Sequence, residues 1–376
     1  ADPGKEPTWQ ARQHHDYQRE GNTVGYYYPG GEPKTDSGNT IILTHENVYN
    51  HEISDKKLID DKIIEVDWEG NILWSWRASD HFEEFDFDEA AKNVFDIADK
   101  TLGKSISTIC FEGPEDELKL TVNTQPSIVT TSIAALEAFK SELNITPDYT
   151  AGHSLGEYCA MYTAGVMSLE TTLKAIQKRA DLMGQTKGGS MAAILNAPEG
   201  AVEEALKEAS EVGYVDVANY NSPVQVVITG DSAAVQKAGE LLLEKGARRV
   251  VPLAVSGAFH SKFMENAGSE FAGFVSDLSL NDAKMPVITN VDAEMTTSSE
   301  DFRAKMPKQI SSSVHWTQTI QKMVSEGVDT FIEIGPGKVL AGLNKKIAPE
   351  ASVYNIYDKA SLEAAVSALK EQMAGV

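Results

Sequence analysis

Gly152-His153-Ser154-Leu155-Gly156 fits the pattern G-x-S-x-G. Tyr149-Thr150-Ala151-Gly152 reads as the end of a short buried strand, and a helix begins at Leu155. A sharp strand-to-helix turn strains the serine backbone and leaves its Oγ exposed at the helix N-terminus. The helix dipole and the Leu155 N–H could receive an oxyanion there. The chemistry this permits is acyl transfer through a serine ester. A serine hydroxyl needs a base for that task. His260 and His315 are the downstream candidates, while His153, beside the nucleophile, suits a packing role as well as a catalytic one.

The rest of the chain must position these groups. It has 376 residues, enough for one large domain with an insertion or for two domains. Hydrophobic residues make up 41% and charged residues 24%, as in an ordinary soluble globular protein. No apolar run is long enough to span a membrane, and no signal-peptide pattern opens the chain. With two cysteines, Cys110 and Cys159, a disulfide framework is not expected, and a cytoplasmic location is. A formal net charge of −23 argues against a nucleic-acid partner. No metal-ligand spacing stands out, and His14-His15 reads as surface.

Residues 1–85 are unlike the remainder. They hold Trp9, Trp68, Trp74 and Trp76, out of five Trp in all. The stretch is irregular and turn-rich up to about residue 40. β-like runs follow at Thr40–Leu43, Ile63–Val66 and Ile72–Trp76, the last two framing a hairpin turn at Asp67–Asn71. Residues 86–376 read as α/β. Helices are expected over Asp88–Thr101, with Ala91, Val94, Phe95 and Ala98 on one face, and over Pro126–Leu143. Residues 188–256 read as an inserted ferredoxin-like βαββαβ unit. Its strands are Met191–Leu195, Val215–Ala218, Val224–Ile228 and Arg249–Leu253, and Asp231 caps its second helix. The α/β pattern resumes at Thr330–Ile334.

The longer stretch Gly152-His153-Ser154-Leu155-Gly156-Glu157-Tyr158 resembles the elbow of malonyl-CoA:acyl carrier protein transacylases and of the related acyltransferase domains of fatty acid and polyketide synthases. The likeness runs from about Phe87 to the C-terminus. Phe111–Pro114, Asn123–Pro126, Asn221–Gly230, Phe259–Ser261 and Glu333–Leu340 carry it further. The first 85 residues read either as a β-rich extension packed on the main domain or, by their strand–turn–strand pattern with Trp, as similar to a fragment of an arylsulfotransferase-like β-propeller. The resemblance implies a hydrolase-like three-layer α/β core with a parallel sheet and the ferredoxin-like insert. It implies Ser154 as nucleophile, with the Leu155 N–H in the oxyanion hole. His260 is the implied base, oriented by the main-chain carbonyl of Gln309. Arg179 becomes a clamp for the malonyl carboxylate, whereas read alone it is a surface helix residue. Phe259 narrows the pocket in favour of malonyl over branched acyl groups, and His153 and Asn221 are further pocket residues. The implied partners are malonyl-CoA and acyl carrier protein, with no membrane, no nucleic acid and no resident cofactor, in a monomer. Lys178, Arg248, Arg249, Lys345 and Lys346 are candidates for the carrier surface.

One family feature is missing. The opening F-P-G-Q-G-S-Q, whose Gln supplies a second oxyanion donor, has no counterpart beyond the faint echo Tyr28-Pro29-Gly30-Gly31. Ile63–Asp67 is the candidate to replace the lost strand, with Gly70-Asn71 near the hole. Two alternatives to a transacylase therefore stay open at the level of sequence. One is an α/β-hydrolase-type esterase or thioesterase. The other is an impaired homologue that binds carrier protein without turnover.

Overall fold

The computed structural model describes residues 17–19, 40–48, 58–66, 72–77 and 89–374, apart from 254 and 256. The chain forms two compact units, Ala1–Asp86 and Phe87–Val376. In the first, β1 (Tyr17–Arg19), β2 (Thr40–Val48), β3 (Leu58–Val66) and β4 (Ile72–Arg77) make one antiparallel sheet in chain order. The expected hairpin is β3–β4. β1 falls in the stretch read as irregular, because three residues are too few to show alternation. Residues 62–66 of β3 pair with β2 on one edge and β4 on the other. With both edges taken, Ile63–Val66 cannot serve as the replacement strand of a second sheet. Gly70-Asn71 lies outside the described residues, as do His14-His15 and Tyr28–Gly31.

The second unit is mixed α/β. It opens with α1 (Glu89–Leu102), α2 (Ile106–Phe111), α3 (Glu115–Leu118) and α4 (Thr121–Glu142). α1 buries Ala91, Val94, Phe95 and Ala98, the apolar stripe of its sequence. α4 starts five residues before Pro126, where the sequence alone suggests it begins. A proline inside a helix frees the carbonyl four residues earlier. Here that carbonyl, Val122 C=O, accepts Lys104 Nζ (3.0 Å) and Gln177 Nε2 (3.2 Å), so the helix runs through. Next come β5 (Thr150–Ala151), α5 (Gly156–Thr163) and α6 (Leu169–Gln185).

The insert follows as β6 (Ser190–Leu195), α7 (Ala201–Ala209), β7 (Val215–Ser222), β8 (Gln225–Gly230), α8 (Ser232–Glu244) and β9 (Arg249–Pro252). Its sheet order is β7-β8-β6-β9, all antiparallel, the ferredoxin-like arrangement. Asp231 stands at the cap position of α8, but its carboxylate accepts the Tyr214 N–H (2.8 Å) rather than an amide of the helix. That bond ties the helix start to the strand beside it.

The chain closes with a 3₁₀ turn at Lys262–Met264, α9 (Glu265–Ser276), β10 (Val287–Ile288), β11 (Met295–Thr296), α10 (Ser299–Ser311), α11 (Trp316–Ser325), β12 (Thr330–Ile334), α12 (Val339–Ile347), β13 (Ser352–Ile356) and α13 (Lys359–Ala374). β5 pairs in parallel with β10, and β12 with β13. Among the described residues the parallel pairs of the core lie in two pieces, β11-β10-β5 and β12-β13. The main core lies where α1, α4, α5, α6, α9 and α10 pack together. No helix of the described residues is long and apolar enough to cross a membrane.

Candidate active site

Ser154 stands between β5 and α5 with φ 53°, a conformation that strains any residue with a Cβ. Gly152 makes the turn possible. A Cβ on Gly152 would come within 1.9 Å of the Gly156 carbonyl oxygen. Ser154 Oγ lies 2.7 Å from His260 Nε2. On the other side of that ring, Nδ1 is 3.0 Å from Gln309 C=O and 3.1 Å from Ser312 C=O. Carbonyls only accept, so Nδ1 carries the proton and Nε2 is left to take one from the serine. His260 also sits at positive φ (54°) and is buried. Burial, with Arg179 and His153 nearby, pushes its pKa down to about 3, so the imidazole is neutral and able to act as a base.

Arg179 projects from the buried face of α6, in line with Thr172, Ile176 and Met183, and is 1% exposed. Its Nη1 donates to Gln125 Oε1 (2.5 Å). Nε and Nη2 donate to Gln309 Oε1 (3.3 and 3.1 Å), and Nη2 also reaches Ser154 Oγ (3.0 Å). No carboxylate of the described residues forms an ion pair with it. Burial lowers its pKa, while Tyr158 and Glu157 pull the other way. A buried cation held by amide and hydroxyl oxygens and by the face of the Tyr158 ring (5.7 Å), with no ionic partner, has spare capacity for an anion.

Gln309 does more than its main-chain carbonyl suggests. Its Nε2 donates to Ser154 C=O (2.6 Å), so one side chain joins the nucleophile turn to the guanidinium. A cavity of about 220 Å³ opens onto the group. Its wall includes Leu155, Phe259, His153, Gln125, Met183 and Asn219. Phe259 is half-buried, and its carbonyl accepts Thr229 Oγ1 of the insert (3.0 Å). Asn221 does not line this cavity. Its Oδ1 meets His153 Nε2 (2.8 Å), and the His153 ring lies edge-on to Trp316. Asn219 rather than Asn221 faces the cavity, because Asn221 is occupied in holding His153. Desolvation lowers the pKa of His153, which keeps it neutral. His315 stands apart, stacked on Tyr220 with ring centroids 5.2 Å apart. Lys178 is half-buried, whereas Arg248, Arg249, Lys345 and Lys346 are exposed.

Sequence reasoning missed Gln125, Ser312 and Asn290. Gln125 was within reach, since it lies in Asn123–Pro126, quoted for its likeness alone. Its Nε2 meets only Met183 Sδ at 3.6 Å, a weak acceptor. Among the described residues nothing accepts the Leu155 N–H, the amide suited to a developing oxyanion. No group of three or more His, Cys, Asp or Glu among them is arranged to hold a metal ion.

The family described as acyl transferase domain matches residues 85–362. A malonyl CoA-acyl carrier protein transacylase of Bacillus subtilis is 44% identical over 287 residues, covering 75% of this chain and 90% of that protein. The crystal structure of malonyl CoA-acyl carrier protein transacylase from Clostridium perfringens superposes with a TM-score of 0.74 at 36% identity, over 78% of this chain and 93% of that one. A type II PKS acyl-carrier protein in complex with its malonyl-transacylase gives 0.72 at 34% identity, over 74% and 92%. The chain belongs to the malonyl-CoA:acyl carrier protein transacylase family of acyl transferases.

Proposed function

We propose that this chain moves the malonyl group of malonyl-CoA to the phosphopantetheine thiol of acyl carrier protein, through a malonyl ester on Ser154, in fatty acid or polyketide biosynthesis. The observation that carries the reading is Arg179: a fully buried guanidinium beside the nucleophile, with no carboxylate of the described residues paired to it. The free carboxylate of a malonyl thioester supplies the missing charge, and an acetyl thioester does not.

His260 Nε2 takes the Ser154 proton as Oγ attacks the thioester carbonyl. The oxyanion forms against the Leu155 N–H and the start of α5. Collapse expels the CoA thiolate, which recovers the proton from His260. The carrier thiol then gives its proton to His260 and attacks the serine ester, and Ser154 Oγ leaves with that proton. Pairing Arg179 with the substrate carboxylate also removes a charge that depresses His260, which strengthens the base once substrate is bound. Side chains alone carry these steps, so we assign no metal or resident cofactor. Phe259 limits the space beside the α-carbon. We place the protein in the cytoplasm as a monomer, in keeping with its two free cysteines. The net charge of −23 would repel an acidic carrier, so docking falls to a local basic patch drawn from Lys178, Arg248, Arg249, Lys345 and Lys346.

An α/β-hydrolase-type esterase would orient its base with a carboxylate. Here two carbonyls face Nδ1. Intact-mass measurement after exposure to malonyl-CoA tests the proposal. The parent should gain one malonyl group and Ser154→Ala none, and the adduct should be cleared by holo acyl carrier protein. An adduct retained in Ser154→Ala, or one that carrier protein leaves in place, would count against it.

A further inference from the structure

Four hydrogen bonds converge on one fully buried residue outside the machinery above. Asn290 follows β10 and is 0% exposed. Its Oδ1 accepts the Ser154 N–H (2.7 Å), and its Nδ2 donates to Gly152 C=O (2.7 Å). Its backbone N–H donates to Glu157 Oε2 (2.6 Å), and its carbonyl accepts the His315 N–H (3.0 Å). The carboxamide therefore pairs with residues i and i+2 of the turn as a neighbouring strand's peptide would, with one donor and one acceptor. An amide supplies both at once, while a carboxylate supplies only acceptors.

We infer that Asn290 is a positioning residue for acyl transfer: its side chain clasps Gly152 and Ser154, holds the serine in its left-handed conformation against His260, and leaves the Leu155 N–H, the amide just after the nucleophile, uncommitted. This rests on the reading of Ser154 as the nucleophile. Three features support it. The Ser154 N–H is spent on Asn290 and cannot serve an oxyanion, whereas no acceptor among the described residues takes the next amide. Ser154 at φ 53° needs an outside restraint to stay there. Glu157, on the helix that the turn launches, grips the Asn290 backbone, so the clasp is fixed at both ends.

Asn290→Asp is the informative change, since it keeps the shape and removes the donor. In that variant an ionised carboxylate would face Gly152 C=O with a lone pair, and a protonated one would restore the bond. The charged and titratable groups around it are Glu157 on α5, Arg179 on α6, Asp292 on the same loop, Lys305 on α10, and the rings of His260 and His315. Burial between Glu157 and Asp292 favours the protonated form as pH falls. His260, pushed down to about 3, stays neutral through that range. At pH 8 the variant's kcat should fall roughly 10- to 100-fold, with KM for malonyl-CoA within about threefold of the parent. At pH 5.5 the deficit should shrink at least about fivefold. A purely structural role would change the melting midpoint but not give a kcat ratio that depends on pH in the folded protein. Parent-like kcat at pH 8, or a deficit constant with pH, would overturn the inference. If the variant does not stay folded at pH 8, Asn290→Ala assayed below its melting midpoint decides: a raised KM with kcat at the parent level overturns it. Malonyl loading of the parent and of Ser154→Ala, run alongside, separates failure of this inference from failure of the Ser154 reading.

Discussion

Replacing Arg179 by Gln removes the one cation at the bottom of the cavity while keeping a side chain that can still bond Gln125 or Gln309. The guanidinium is 1% exposed and hydrogen-bonds only neutral oxygens, so a malonyl carboxylate would be an ionic partner that no described residue supplies. Two charge-assisted hydrogen bonds contribute about 1.5–3 kcal/mol each, and a neutral replacement bond returns about 1 kcal/mol. The net loss of about 2–5 kcal/mol corresponds to roughly 30- to 5000-fold in kcat/KM for malonyl-CoA. Acetyl-CoA has no carboxylate to lose and should change by less than about tenfold. The malonyl-to-acetyl ratio, read by intact mass over a loading time course, is therefore the decisive quantity. A second signature comes from the base. Arg179 helps to push His260 down to about 3, so the parent should load at a rate independent of His260 ionisation from pH 5 to 8. Burial, the larger cause, still holds the imidazole down without that charge, but it moves back toward its usual range, so loading by the variant should turn down at a higher pH than loading by the parent. A parent that loads acetyl as fast as malonyl, or a variant that keeps the parent's preference, would refute the assignment of Arg179.

Glu157 is buried with its pKa raised to about 7, desolvation being the main cause. A carboxyl whose folded value lies above its unfolded value stabilises most below about pH 4.5 and loses that contribution as pH rises to about 7, on the order of 3 kcal/mol in all. Glu157→Gln should therefore melt higher than the parent at pH 8, by a margin that narrows at pH 5; parallel melting curves against pH would contradict this. Cys159 has its thiol pushed up to about 12 by burial. Iodoacetamide at pH 8 should leave it unmodified in the native protein and label it in denaturant, as peptide mass mapping would reveal. Ser154→Gly should raise the melting midpoint by a few degrees while abolishing the malonyl adduct, because glycine accepts φ 53° without strain.

The elbow was legible because everything that makes it is local: two glycines, a serine, and the switch from strand to helix within seven residues. The insert was legible too, since its strands and helices follow one another with clean periodicity. Arg179 was harder to read. Helix spacing puts it on the same stripe as Thr172, Ile176 and Met183, and a cation on a buried stripe is a signal of its own, but the surrounding residues also allow a solvated face. Asn290 and Ser312 were not legible at all. They meet the site across 136 and 52 residues of chain, through a side-chain amide in one case and a main-chain carbonyl in the other. Neither group has a pattern, since every residue has a carbonyl and a lone Asn after a strand is commonplace. The replacement strand assigned to Ile63–Asp67 failed for a different reason. Hydrophobic alternation says that a strand exists, not which sheet it joins, and β3 already has a partner on each edge.

Ser154 and His260 share one property beyond their 2.7 Å contact: each is a side-chain-bearing residue held where the backbone prefers glycine. At about 1–3 kcal/mol apiece, the pair withholds a sizeable part of the roughly 5–15 kcal/mol by which a domain of ordinary stability stays folded. The surrounding helices act as a vice, and the reactive atoms are aligned before any substrate arrives because relaxation would have to spread that grip. Such a centre gives up little freedom on binding, and sequences selected only for robustness would be expected to drift away from it.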